Sequence, residues 1–494
     1  MILINKSKKP ASLKIGVRVF SAVLIISFLF LESACKKLVE IDPPAATITT
    51  TETFKDSIDA SSAVLGIYSS MINSGGSINF ANGALSIYTG TSADELAPFP
   101  SSGDQIYSNN ILASNGIVSG SIWNPAYQYI YQANSVIEGA QASASLSASV
   151  KNQFIGEAKF FRAFFYFYLV NLFGDVPYLT STDYQSNRLA TRTAKATIYQ
   201  NIINDLKDAQ GLLRADYSIS NNERIRANKW VVTALLARVY LYLNDYGNAE
   251  LQATSIINNS PLFSLNSDLN KVFLKNLSGN NEAILQWQLN TSQGSYNSTP
   301  EAYNIILANR TSSPYYYISN QLLNSFESGD QRKTAWLDST VYSGTVYYYP
   351  YKYRIGSAQA VANATPTEYY MVLRLAEQYL IRAEARAQQN INLTGAISDL
   401  NAIRNRAKLI ALSSSLSQSQ ILAAVAQERR IEFFSEWGHR WLDLKRTGSV
   451  DSIMTIVTPQ KGVGNTWNTN QKLYPIPSSE LQSDPNLTQN QGYN

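Results

Sequence analysis

The stretch GEAKFFRAFFYFYLVNLFGDVPYL, residues 156–179, constrains the fold more than any other part of the chain. Ala158, Phe161, Phe165, Tyr168 and Leu172 recur at steps of three and four, the period of one helix face. Phe and Tyr also fill nearly every other side, so this helix must be buried almost all round. Gly174 stops it and Pro177 prevents its resumption.

Two further segments have the pattern of paired antiparallel helices. In Trp230–Asn259, the small residues Ala234 and Ala237 let a neighbour approach closely. Tyr240, Leu241 and Tyr246 add bulk, and Asn244-Asp245 makes the turn before a return helix over Ala249–Ile257. In Leu373–Ala407, Ala376, Tyr379, Leu380, Ala383 and Ala387 line one helix, and Ala396, Leu400 and Ile403 the next. Both resemble tetratricopeptide units, which interlock small and large residues. They lie too far apart for a tandem solenoid. The expected fold class is mainly α, a tetratricopeptide-like helix-pair scaffold with a loop-rich, irregular insertion side. Helices are also predicted near 54–72, with Phe54, Ile58, Val64, Leu65 and Tyr68 on or near one face, and over 125–140 and 197–213. Residues 73–120 and 260–367 read as irregular. Within the second region, EAILQWQL (282–289) suits a short strand or buried segment.

The N-terminus reads as a targeting segment. Lys6, Lys8, Lys9, Lys14 and Arg18 precede an apolar run, Val19–Leu31. As a helix this run spans only about 20 Å, short of a hydrocarbon core of about 30 Å. Ser33 and Ala34 then lead to Cys35, the only cysteine, in an arrangement that resembles a lipobox. Glu32 stands where Leu is usual, and Leu31 lies one step back. The expected organisation is a signal peptide over 1–34, a lipid-bearing Cys35 with a Pro43-Pro44 spacer to residue 53, and a single body over 54–494. Of the 40 Lys/Arg and 36 Asp/Glu, five basic residues and one acidic residue lie in 1–34, which leaves a mature chain with 35 of each. A neutral body offers no bulk field for phosphates, so nucleic acid is not expected as a partner.

The candidate chemistry is sparse. One histidine and one cysteine leave no His/Cys metal site or thiol nucleophile. His439, in EWGHRWLDLKR, is expected in a structural charge network, with Glu432, Glu436 and Arg440 along one helical stripe. Paired carboxylates are the one open catalytic route, and Asp94-Glu95 is the candidate pair. A helix cap or surface turn is the favoured reading of that pair. No cofactor is required, and a structural calcium ion in the loops is left open. Recognition is better supplied. Tyrosine occurs 31 times against only 15% charged residues. A sugar ring stacks its C–H face on an aromatic ring and needs polar groups at its hydroxyl edge. The candidate ligand-binding residues are Phe99, Tyr107, Tyr315, Tyr316, Tyr317, Trp336, Tyr347 and Tyr349, because loops on a rigid scaffold commonly carry binding.

Five blocks in order resemble the SusD/RagB group of outer-membrane nutrient-uptake lipoproteins of Bacteroidetes-type bacteria. They are EAKFFRAFFYFYLVNLFGDVP (157–177), LLARVYLYLNDYGNA (235–249), LRLAEQYLIRAEARA (373–387), ERRIEFFSEWGHRWLDLKRTG (428–448), and LYPIPSSEL with DPNLTQN within 473–493. The resemblance implies four tetratricopeptide-like helix pairs and no catalysis. It implies lipid-anchored display on the outer membrane, facing the exterior. It implies capture of oligosaccharides and their delivery to a SusC-like TonB-dependent transporter as partner. Lys36-Lys37 departs from the acidic run often associated with surface export in these bacteria. A secreted helical glycoside hydrolase and a helical-repeat peptide-binding assembly protein are the alternatives. Sugar release would mark the first, and a co-purifying peptide the second.

Overall fold

A computed structural model describes residues 53–72 and 76–493. The chain divides into two units, 1–53 and 54–494, and the account below concerns the second. Cys35 and the signal lie outside the described residues.

The buried helix predicted from the aromatic run is α4, Ala148–Phe173, which begins eight residues before Gly156. Ser147 caps its N-terminus by accepting from the Val150 amide. Every residue from Phe160 to Phe173 is buried. It packs between α3 (Asn124–Ala142) and α6 (Lys195–Leu212). Gly156 permits close approach on one side, since a Cβ there would stand 2.7 Å from Leu213 Cγ.

From α6 the helices continue through α7 (Lys229–Tyr242) to α8 (Tyr246–Ile257). Here α8 packs directly on α12 (Leu375–Gln389), which packs on α13 (Leu393–Arg406), and α14 (Gln418–Glu432) closes the row against both. The two tetratricopeptide-like units, more than 110 residues apart in sequence, therefore stack as neighbours. Within the second unit, Ala376, Leu380, Ala383 and Ala387 of α12 and Ala396, Leu400 and Ile403 of α13 form a second apolar cluster. Buried ion pairs tie the row together. Arg162 Nη2 reaches Asp205 Oδ1 at 2.7 Å between α4 and α6, and Arg238 Nε reaches Glu377 Oε1 at 2.6 Å between α7 and α12.

The predicted segment 282–289 contains β4 (Ala283–Trp287), fully buried and antiparallel to β8 (Tyr370–Arg374). Other readings need correction. In α1 (Ser57–Ile72) the buried face is Ala60, Val64, Ile67 and Met71, while Ile58 is 77% exposed and Leu65 also faces solvent. The region 73–120 holds a π-helical turn (Phe80–Ala84) and α2 (Leu85–Ser92), both wholly buried. Its Gly, Ser and Asn content suggested irregular structure, but the buried hydroxyls here are satisfied by hydrogen bonds. Thr89 and Thr91 donate back to Leu85 O and Ile87 O, and Ser92 pairs with the Tyr474 hydroxyl at 2.7 Å.

Glu432, Glu436 and Arg440 do not share a helical stripe. α14 ends at Glu432, and a turn with positive φ at Ser435, Trp437 and Gly438 separates it from α15 (His439–Arg446). That turn delivers Glu432 and Glu436 into a buried network with Arg374, Arg406, Arg332 and Lys352, which joins the helical row to the loop-rich side.

Candidate aromatic binding face

Three separate segments of the loop-rich side converge. β1 (Leu96–Pro98) pairs antiparallel with β5 (Tyr316–Ile318), and the Phe99 amide extends the pairing by donating to Tyr315 O at 2.9 Å. β6 (Leu337–Tyr342) and β7 (Thr345–Pro350) form a hairpin whose two-residue turn has φ of 49° at Ser343 and 78° at Gly344. Positive φ at both central residues matches the right-handed twist of the flanking strands. The segment before β5 is stitched to this hairpin, because Val341 N donates to Arg310 O and Thr340 Oγ1 to Ser312 O, each at 2.9 Å.

The result is a contiguous aromatic set. Tyr317 and Tyr347 meet edge-on with centroids 5.0 Å apart. Phe99 meets Tyr347 at 5.5 Å and Tyr342 at 5.6 Å. Phe99, Tyr317 and Tyr347 are half-buried, and Tyr342 is exposed. Tyr107 is also half-buried beside Tyr317, and burial followed by that neighbour pushes its phenol up to about 12. Its ring lies 5.1 Å from Lys461 Nζ, which is buried and donates to Thr91 O and Ser92 O at 2.8 Å each. Arg310, exposed and paired with Asp338 at 2.9 Å, supplies polar groups beside the hairpin.

Of the candidates read from sequence, Phe99, Tyr107, Tyr317 and Tyr347 come together. Tyr315 is 66% exposed next to them, and Tyr316, alternating along β5, is half-buried toward Tyr88 and Asp104. Trp336 and Tyr349 are corrections. Trp336 is fully buried, donates Nε1 to Leu269 O at 3.1 Å, and packs against Phe273 and Lys352. Tyr349 points inward and donates to Asp338 Oδ2 at 3.2 Å. Neither presents a ring face to a ligand. Sequence reasoning missed Tyr342 and Lys461. The Ser343-Gly344 hairpin turn was a usable signal for Tyr342, whereas nothing local marks Lys461.

Asp94 and Glu95 are neither cap nor surface turn. Asp94 is buried and accepts from Arg440 Nε and Arg430 Nη2, each at 2.7 Å. Burial and the neighbouring Asp94 charge push the Glu95 carboxyl up to about 8. His439 is likewise buried, 3.4 Å from Arg429 Nη2, with burial and then nearby cations holding it well below its usual range. Among the described residues no cluster of His, Cys, Asp and Glu stands where it could hold a metal ion, and no helix is long and apolar enough to cross a membrane.

The Glu95 shift makes a stability prediction. Its folded value lies above the unfolded one, so its contribution is fully present below about pH 4.5 and is lost as pH rises through about 8. Glu95→Gln keeps the shape without the charge. Its stability relative to the native chain should improve between pH 5 and 8, by up to ~1.4 kcal/mol per pH unit. Paired urea melts at pH 5 and pH 8 check this, and parallel pH dependence of the two proteins would refute it.

This architecture defines a class, a helical-repeat scaffold that presents a loop-built aromatic face. Two family models match the chain, the SusD family over residues 331–493 and "Starch-binding associating with outer membrane" over 49–241. Among characterised relatives, SusD-like protein P2 of Formosa agariphila is 28% identical over 88% of this chain and 92% of its own length. A SusD superfamily protein from Bacteroides vulgatus superposes with a TM-score of 0.74 at 21% identity, covering 89% of this chain and 99% of that one. A laminarin-binding SusD-like protein gives 0.72 at 24% identity, over 89% and 100%. The chain belongs to the SusD-like family.

Proposed function

We propose that this protein is a non-catalytic, lipid-anchored glycan-binding protein of the outer membrane. It captures oligosaccharides on the aromatic face and passes them to a SusC-like TonB-dependent barrel. The observation that carries the reading is the convergence of Phe99, Tyr107, Tyr317, Tyr342 and Tyr347 from three chain segments onto one accessible surface. Flat apolar rings beside Arg310 and Asp338 suit the two faces of a pyranose. The outer-membrane wording of one family model and the laminarin-binding neighbour support glycans as the ligand class. Lipidation of Cys35 would hold the body at the membrane, since each buried CH₂ contributes about 0.8 kcal/mol. The reading requires no cofactor.

The test is affinity gel electrophoresis of the protein beginning at Lys36 through laminarin, starch and other neutral polysaccharides, with released reducing ends assayed in parallel. Retardation by a neutral glucan without sugar release is the expected result. Sugar release would replace the reading with a hydrolase. Absence of retardation, together with absence of a co-purifying barrel from membranes, would overturn it.

A further inference from the structure

A second pocket lies on the helical side, away from the residues of the aromatic face. It has a volume of about 270 Å³ between α12, α14 and α15. Leu422, Val425, Ala426 and Leu444 line it on the apolar side, and Ala426 and Thr447 are exposed at its rim. Arg429, Arg430, Arg440 and Arg446 line much of the rest, together with the acids Glu384 and Asp443.

The acids that hold these arginines do not balance them. Asp443 accepts from Arg429 Nε and Arg446 Nε, each at 2.7 Å, and Glu384 accepts from Arg446 Nη1 at 2.6 Å. Asp94 clamps Arg430 and Arg440 from behind. Three hydrogen-bonded carboxylates thus face four guanidinium groups, and the nearby Glu95 carboxyl, pushed up to about 8 by burial and Asp94, adds little charge at neutral pH. Among the described residues, Arg429 Nη1 and Arg430 Nε are buried N–H groups without an acceptor, and Arg429 is only 2% exposed. A buried donor left unpaired costs about 1–3 kcal/mol, more when charged. An anion in the pocket would offset the excess charge, and a turn of the Arg429 and Arg430 guanidinium groups would bring these two enclosed donors to it.

We infer that this pocket is an oxyanion site that takes the carboxylate of an acidic sugar residue. The arginine N–H groups meet the carboxylate through charge-assisted hydrogen bonds. The Leu422–Val425–Leu444 wall receives the C–H face of the ring. The volume suits one residue rather than a chain, being at the lower edge of small-molecule sites. The sugar assignment rests on the glycan-binding reading above, whereas the oxyanion chemistry follows from the arginines alone.

The experiment is calorimetric titration of the protein with glucuronate, inorganic sulfate and glucose at constant ionic strength. Glucuronate should bind, sulfate should compete with it, and glucose should not displace it. Ala426→Glu places a carboxylate one helical turn before Arg430, at the rim, and fills the site from within. It should weaken glucuronate at least tenfold, while Ala426→Gln, of similar bulk and no charge, should retain binding. Both changes sit at an exposed helix position, so the fold is preserved and circular dichroism confirms it. Absence of glucuronate binding, or equal binding by Ala426→Glu, overturns the inference. Sulfate binding without glucuronate overturns the sugar assignment. Retardation by neutral glucans is read on the same proteins and should be unchanged by Ala426→Glu, so failure of this site and failure of the aromatic face give different results.

Discussion

Glu432→Ala should cost about 4 kcal/mol or more of folding stability, read as a large fall in the urea midpoint. Glu432 is wholly buried at the end of α14. Its carboxylate accepts from Arg374 Nη1 at 2.6 Å, from Arg332 Nη1 at 3.1 Å, and from Arg406 Nη2. Burial alone would push this carboxyl up, but Arg406, Arg374 and Arg332 outweigh it and hold it far below the usual range. Breaking one buried pair by removing a single partner costs about 3–5 kcal/mol, because the other charge stays behind. Here three guanidinium groups lose a ligand at once, although Glu282, Glu428, Asp330 and Glu436 retain part of the network. Against a whole-domain stability of about 5–15 kcal/mol, the loss is large. The network joins β8, α11 (Gln331–Trp336), α13 and α14, so its failure should also loosen the aromatic face from the helical row. A change below about 1 kcal/mol would show that the arginines are solvated rather than buried.

The second large effect concerns binding. Tyr317→Ala combined with Tyr347→Ala should lower affinity for the retained glycan by about 30-fold or more, the equivalent of about 2 kcal/mol for loss of aromatic anchors. The two rings contact each other, and Tyr347 also supports Phe99, so the double change removes the middle of the face. Both side chains are already half-exposed, so the fold should survive. The control is Tyr184→Ala, an exposed tyrosine on the short helix α5 (Tyr184–Asn187), which should leave retardation unchanged. Equal retardation of the double variant and the native protein would move the site elsewhere.

The sequence by itself determined the helical row. Periods of three and four, with small residues placed one turn apart, are local consequences of helix geometry and can be read without knowing the partner. The α4 core, the α7–α8 and α12–α13 pairs and the buried strand β4 were legible on those grounds. Their order in space was not, because α8 meets α12 across an insertion of more than 110 residues. Only the tertiary structure decided which tyrosines face outward. Tyr347 and Tyr349 sit two apart on one strand, and Tyr349 and Trp336 differ from the exposed rings in what covers them, not in local pattern. The same holds for the buried polar groups. Ser92 and Asp94 read as loop residues because their partners, Tyr474, Arg430 and Arg440, arrive from more than 300 residues away. Burial and charge pairing are properties of the assembled neighbourhood, so local residue pattern alone could not reveal them.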